Sequence, residues 1–160
     1  MNILQKIRLQ KTLKKLNTIY DTINCGGCGY FAKELGNVLK TKGYEVKYVL
    51  LLSNEDEVDY ANKCINKNQI NILNGLSWAH VMVNVEDKLI DVEGLFDVKY
   101  DEKKKVYLRT KGYSKYYGIT LPETLLHTWL TPQYDKNWNP TFDRKIVPKM
   151  RKELQKSLVG

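Results

Sequence analysis

Along residues 3 to 19, Ile3, Leu4, Ile7, Leu13, Leu16 and Ile19 recur near helical spacing with basic side chains between them, which predicts an amphipathic helix. Asn24 to Gly29 breaks that pattern with three glycines. From Cys28 onward Phe31, Ala32, Leu35, Val38 and Leu39 form the apolar stripe of a second helix that stops near Gly43, so Cys28 falls in its first turn. Tyr44 to Leu52 is β-branched, aromatic and aliphatic and ends in an unbroken apolar run, the pattern of a strand entering the core. Ser53 with Asp56 predicts a helix cap, and Val58, Ala61, Cys64 and Ile65 share one face of the helix that follows, with Cys64 as a small buried hydrophobe. Asn74-Gly75 marks a turn.

Trp78 to Gly94 carries the strongest pattern. Val81, Val83 and Val85 alternate with His80, Met82 and Asn84, and after a short break Ile90 and Val92 alternate with Leu89, Asp91 and Glu93. A hairpin with the two-residue loop Glu86-Asp87 pairs Val85 with Lys88, Val83 with Ile90 and Val81 with Val92, which makes one face core. The other face then carries His80 opposite Glu93 and diagonal to Asp91, at a Cβ separation of about 7 to 8 Å that a carboxylate can bridge.

Further along, Lys105 to Arg109 reads as a strand and Gly112 to Gly118 as a loop. Thr120 is the expected cap of a short helix from Pro122 to Leu130. Ile146, Val147, Met150, Leu154 and Leu158 predict a final amphipathic helix, interrupted near its start by Pro148.

With 160 residues, 42% hydrophobic and 28% charged, the chain is expected to form one α+β domain over residues 1–160; this composition excludes a disordered tail, a coiled-coil rod and a multi-span membrane protein. A chain of this length buries about 70% of its unfolded surface and needs neither disulfide nor metal to hold its fold. The net charge of +8 is concentrated at the ends: residues 1–16 and residues 136–156 each carry +5, and the remainder is close to neutral. An acidic partner is therefore expected to meet the basic termini, and nucleic acid is one such partner. No apolar run is long enough to span a membrane, and the expected location is the cytoplasm.

Three cysteines do not make a disulfide framework, which turns attention to reactivity. A cysteine nucleophile acts as its thiolate, and the first turn of a helix lowers a thiol pKa through unpaired N–H groups and the positive end of the macrodipole. Cys28 has that position, and Gly26, Gly27 and Gly29 beside it give the backbone a sharp turn and a substrate close access. His80 can serve as general base and Asp91 as its orienter, with Glu93 in reserve.

Cys28 in N-C-G-G-C-G-Y-F-A-K-E-L, His80 in W-A-H-V-M-V and Asp91 in L-I-D-V-E-G resemble, over residues 20 to 97, the Cys, His, Asp order of the papain-like and transglutaminase-like thiol enzymes. The resemblance implies a nucleophile-bearing helix packed on an antiparallel sheet and acyl transfer through a thioester: hydrolysis of a peptide or other amide bond, or acyl transfer to an amine, with no metal or organic cofactor. The Gln that precedes the nucleophile in many papain-like peptidases is missing, and Asn24 with the Cys28 N–H is the expected substitute as oxyanion donor. Trp78, Trp138 and Gly27 are the expected substrate-side residues. Cys25-Gly-Gly-Cys28 also fits a redox dithiol, but the segment before it does not read as the required strand; Cys25, Cys28, Cys64 and His80 make a poorly spaced zinc set, and His127 reads as structural. A non-enzymatic domain binding nucleic acid or an acidic protein is the remaining alternative.

Overall fold

The computed structural model describes residues 1–24, 26–131, 134 and 142–158; Cys25 and Trp138 lie outside the described residues. The fold is α+β. Helices α1 (Ile3–Ile19) and α2 (Cys28–Thr41) precede strand β1 (Lys47–Leu52), and α3 (Val58–Asn66) leads to the hairpin β2 (Ala79–Val85) and β3 (Lys88–Asp91). Then come β4 (Gly94–Asp97), β5 (Lys99–Asp101), β6 (Val106–Lys111), β7 (Ser114–Leu121), α4 (Glu123–Trp129) and α5 (Val147–Ser157). Among the described residues one sheet has the order β4-β3-β2-β1-β7-β6-β5 with antiparallel neighbours throughout.

The α2 stripe is buried as its spacing predicts, with Phe31, Ala32, Leu35, Val38 and Leu39 packed on the sheet. Each large side chain among them contributes about 1.5–3 kcal/mol by leaving water. In α1 the buried stripe is Leu9, Leu13 and Leu16, whereas Ile3, Leu4, Ile7 and Ile19 are exposed, Ile3 at 76%. Leu9 and Leu13 are four residues apart and define a face that the exposed isoleucines do not share. Helix α5 packs on both α1 and α2. Its Arg151 donates two hydrogen bonds, each 2.8 Å, to the buried carboxylate of Glu34 on α2. Pro148 lies in the first turn of α5 and does not interrupt it, because a proline there gives up an N–H that has no helical partner.

The hairpin has the predicted register near its turn, with Val83 opposite Ile90 and Val85 opposite Lys88, and Glu86 takes a positive φ of 56° in the loop. Strand β3 ends at Asp91, so Val92 and Glu93 do not pair with β2. Gly112 to Gly118 is not a loop. Most of it belongs to β7, which adjoins β1; Tyr117, Ile119 and Leu121 alternate as a strand requires, but the tyrosines and glycines conceal the period. Gly118 is required there, since a Cβ would lie 2.6 Å from Val49 Cγ1. Thr120 is in this strand, and Pro122 caps α4. Asn54, not Ser53, caps the turn before α3 by accepting from the Asp56 N–H.

The sheet is strongly curled. Arg109 on β6 and Phe96 on β4 are five strand positions apart, about 24 Å in a flat sheet, yet the guanidinium lies 3.8 Å from the ring centroid. The helices cover one face, and the concave face encloses a second core of Val49, Leu51, Met82, Leu89 and Tyr107.

Candidate functional site

Cys28 opens α2, and Gly27 at its N-cap provides no side-chain hydrogen bond. The first N–H groups of α2 therefore have no partner within the helix, and their positive end faces the thiol. Gly26 reaches this turn with φ +97°, a conformation that favours glycine. Gly27 is buried against Phe142, whose ring a Cβ would meet at 2.5 Å, and it is Gly26 that lines the adjoining cleft. The expected substrate-side role of Gly27 is thus replaced by a packing role.

His80 begins β2 beside Leu51 of β1, and Asp91 ends β3. The imidazole Nε2 lies 2.8 Å from Asp91 Oδ2, and both side chains are buried, His80 at 7% exposure and Asp91 at 2%. The second carboxylate oxygen, Oδ1, accepts the backbone N–H of Glu93 at 2.8 Å. Both oxygens are committed, so the carboxylate fixes the ring. With Nε2 committed, Nδ1 is the ring nitrogen left for Cys28, which lines the same cleft and couples electrostatically to His80. Glu93 is no alternative orienter: its carboxylate lies 3.7 Å from Lys111 Nζ.

The electrostatics follow from these contacts. Burial pushes the Cys28 thiol up, but hydrogen bonding and charge from His80, with the backbone N–H groups of Val81 and Gly29, outweigh burial and hold its pKa below the ordinary 9.0. Burial pushes His80 down, and the hydrogen bonds to Asp91 and Cys28 reverse this and raise it from 6.5 to about 10. Both shifts move the pair toward thiolate and imidazolium.

A cleft of about 370 Å³ opens on this trio. Asn24 and Trp78 line it as the sequence predicts. The Trp78 ring lies 5.9 Å from His80 and 5.3 Å from Tyr116, forming a wall. Asn24 Oδ1 and Trp129 Nε1 are buried without a hydrogen-bond partner among the described residues, and both residues line the cleft. His127, on α4, does not line it. Sequence reasoning missed Trp129, Tyr116 and Arg109; the alternation of Tyr107, Arg109 and Lys111 was the signal that Arg109 points inward with Tyr107. Among the described residues no three His, Cys, Asp or Glu side chains gather as metal ligands, and no helix is long and apolar enough to cross a membrane. No family model, curated protein or solved structure matches the chain.

Proposed function

We propose that the protein is a thiol enzyme of papain-like or transglutaminase-like type that cleaves a peptide or other amide bond through a Cys28 thioester. The observation that carries this reading is the His80 ring, pinned through Nε2 by Asp91 in the cleft that Cys28 also lines at a helix N-terminus, with His80 lowering the pKa of that thiol. The Cys28 thiolate attacks the carbonyl carbon, a C–S bond forms, and the carbonyl oxygen takes the negative charge. The Cys28 N–H and the Asn24 amide are the proposed donors to that oxyanion. His80 gives its proton to the leaving amine as the C–N bond breaks. It then takes a proton from water, whose oxygen displaces the thiol and releases the acid. Asp91 holds the imidazole and balances its charge. The unpartnered Asn24 Oδ1 can accept from a substrate N–H, and the unpartnered Trp129 Nε1 can donate to a substrate carbonyl.

The test is a p-nitrophenyl ester presented with and without an added amine. The expected result is a burst of p-nitrophenolate, an acyl group on Cys28 by mass spectrometry, and loss of both in His80→Ala. Partition of the acyl group to water marks a hydrolase; partition to the amine marks the transglutaminase-like acyltransferase. No acyl adduct on Cys28 sinks both.

A second reading concerns partners. Helices α1 and α5 pack together, with Lys15 Nζ 3.0 Å from Glu153 Oε2, so the two basic ends lie side by side. An acidic protein segment or nucleic acid would meet them there. Binding of poly-glutamate or a single-stranded oligonucleotide should weaken steeply between about 50 and 200 mM salt; no binding at the lower salt removes this reading.

A further inference from the structure

Arg109 is 6% exposed, and a guanidinium so buried ordinarily faces a carboxylate. Here it does not. Its Nη1 lies 3.5 Å from the Met82 sulfur, a weak acceptor, and its plane lies over the Phe96 ring at 3.8 Å, with the Tyr116 centroid 6.0 Å away. None of these contacts neutralises the charge or engages most of its five N–H donors. Arg109 lines the same cleft as Cys28 and His80. It stands opposite Tyr116 in the β6–β7 register, and Tyr116 in turn touches Trp78 beside His80.

Asp91 and Glu93 share the cleft and are both occupied, and Arg109 also borders a second cavity with Asp87 and Asp97, where Asp97 pairs with Lys88. Asp91 is held by His80 and the Glu93 N–H, and Glu93 pairs with Lys111. The aromatic rings fix the guanidinium plane without using its donor edge. A planar, preorganised fork with no paired anion among the described residues is suited to a bidentate carboxylate supplied from outside.

We infer that Arg109 is a specificity-determining residue of the cleft, selecting amide substrates that carry a carboxylate. This rests on the reading of Cys28 as the nucleophile, and it narrows the substrate class of that site to anionic amides. The carboxylate binds along the wall from His80 through Trp78 and Tyr116, while the scissile amide meets Cys28.

The test is protection of Cys28 from iodoacetamide by succinamate, glutaramate and adipamate, each compared with its neutral diamide at constant ionic strength. One of the three acids should protect about tenfold better than its diamide, the scale of a charge-assisted hydrogen bond. The gap should vanish in Arg109→Gln and persist in part in Arg109→Lys. The melting temperature of each variant shows that it is folded. If no acid outperforms its diamide on the wild type, or the gap survives in Arg109→Gln, the proposal is wrong. If Arg109 only balances the charge of Asp91, Arg109→Gln changes the unliganded rate and the wild type shows no gap, which also overturns it. Calorimetry with Cys28→Ser protein reads the same preference without a nucleophile. A wild type in which Cys28 reacts no faster than Cys64 therefore sinks the thiol-enzyme reading and leaves the carboxylate comparison to be read by itself.

Discussion

His80 Nε2 and Asp91 Oδ2 meet at 2.8 Å between two strands that a two-residue turn brings together. The contact fixes the ring so that its remaining nitrogen serves Cys28, and it supplies the main opposition to the cost of burying a cation. In His80→Ala the Cys28 thiol returns toward its ordinary range, and about 1% of it is thiolate at pH 7. The greater nucleophilicity of the more basic thiolate offsets part of that loss. Iodoacetamide labelling of Cys28 at pH 7 should therefore slow about tenfold in His80→Ala and by a smaller factor in Asp91→Ala. Peptide mapping separates Cys28 from Cys25 and Cys64, and equal slow labelling of all three would remove the activated thiol from consideration.

The trio was legible in sequence because its geometry is local. Alternation fixed the face of β2, a two-residue turn fixed its partner, and glycines with an apolar stripe fixed the start of α2. The far wall was not legible. Arg109 reaches Met82 and Phe96 only because the sheet curls, and curl is set by the sum of strand twists and the packing of the second core, not by any short window of residues. Tyr116 was hidden within a stretch whose composition imitates a loop. The exposed isoleucines of α1 show the opposite failure, a helix read correctly from an apolar set of which only Leu13 and Leu16 are buried, with the buried Leu9 left out.

Gly118 tests the packing that places this wall. An alanine there brings its Cβ to 2.6 Å from Val49 Cγ1 and 3.1 Å from Tyr107 Cβ, so the second core has to shift. Gly118→Ala should cost about 1–3 kcal/mol, seen as a lower midpoint in urea unfolding. Val49→Ala in the same chain should recover part of this loss. An unchanged midpoint in Gly118→Ala would mean that β7 does not pass this close to β1.

The α2–α5 contact is tested at Arg151. Glu34 is 4% exposed, and its two partners are the Nε and an Nη of one guanidinium. Arg151→Ala leaves the carboxylate buried without that cation. Because the Arg151 side chain is half exposed, the cost of a fully buried broken pair is discounted to about 1–3 kcal/mol. Replacing both residues by methionine should restore most of the loss. Denaturant midpoints of the single and double variants decide it; a single variant as stable as the wild type would show the pair to be energetically silent.

The pH dependence of stability follows from the Cys28–His80 pair as a unit. His80 has a folded pKa of about 10 against an ordinary 6.5, so its contribution is complete below 6.5 and is lost as pH rises through about 10. The folded pKa of Cys28 lies below its ordinary 9.0, so its contribution is present above 9.0 and is lost as pH falls through the folded value. Above both 6.5 and the folded Cys28 pKa, and below 9.0, the folded protein keeps one proton on His80 while the unfolded chain keeps one on Cys28, so the two slopes cancel. The pair therefore gives a plateau that ends at 9.0 and begins at the higher of 6.5 and the folded Cys28 pKa. Cys28→Ser removes one side of the balance, and its stability should decline as pH rises from 6.5, since Asp91 still holds the His80 pKa up. Subtracting the two urea-derived stabilities at each pH cancels the other titrating groups. A difference that stays constant from pH 6.5 to 9.0 would show that the folded protein holds a neutral thiol across that range, with no thiolate–imidazolium pair at the site.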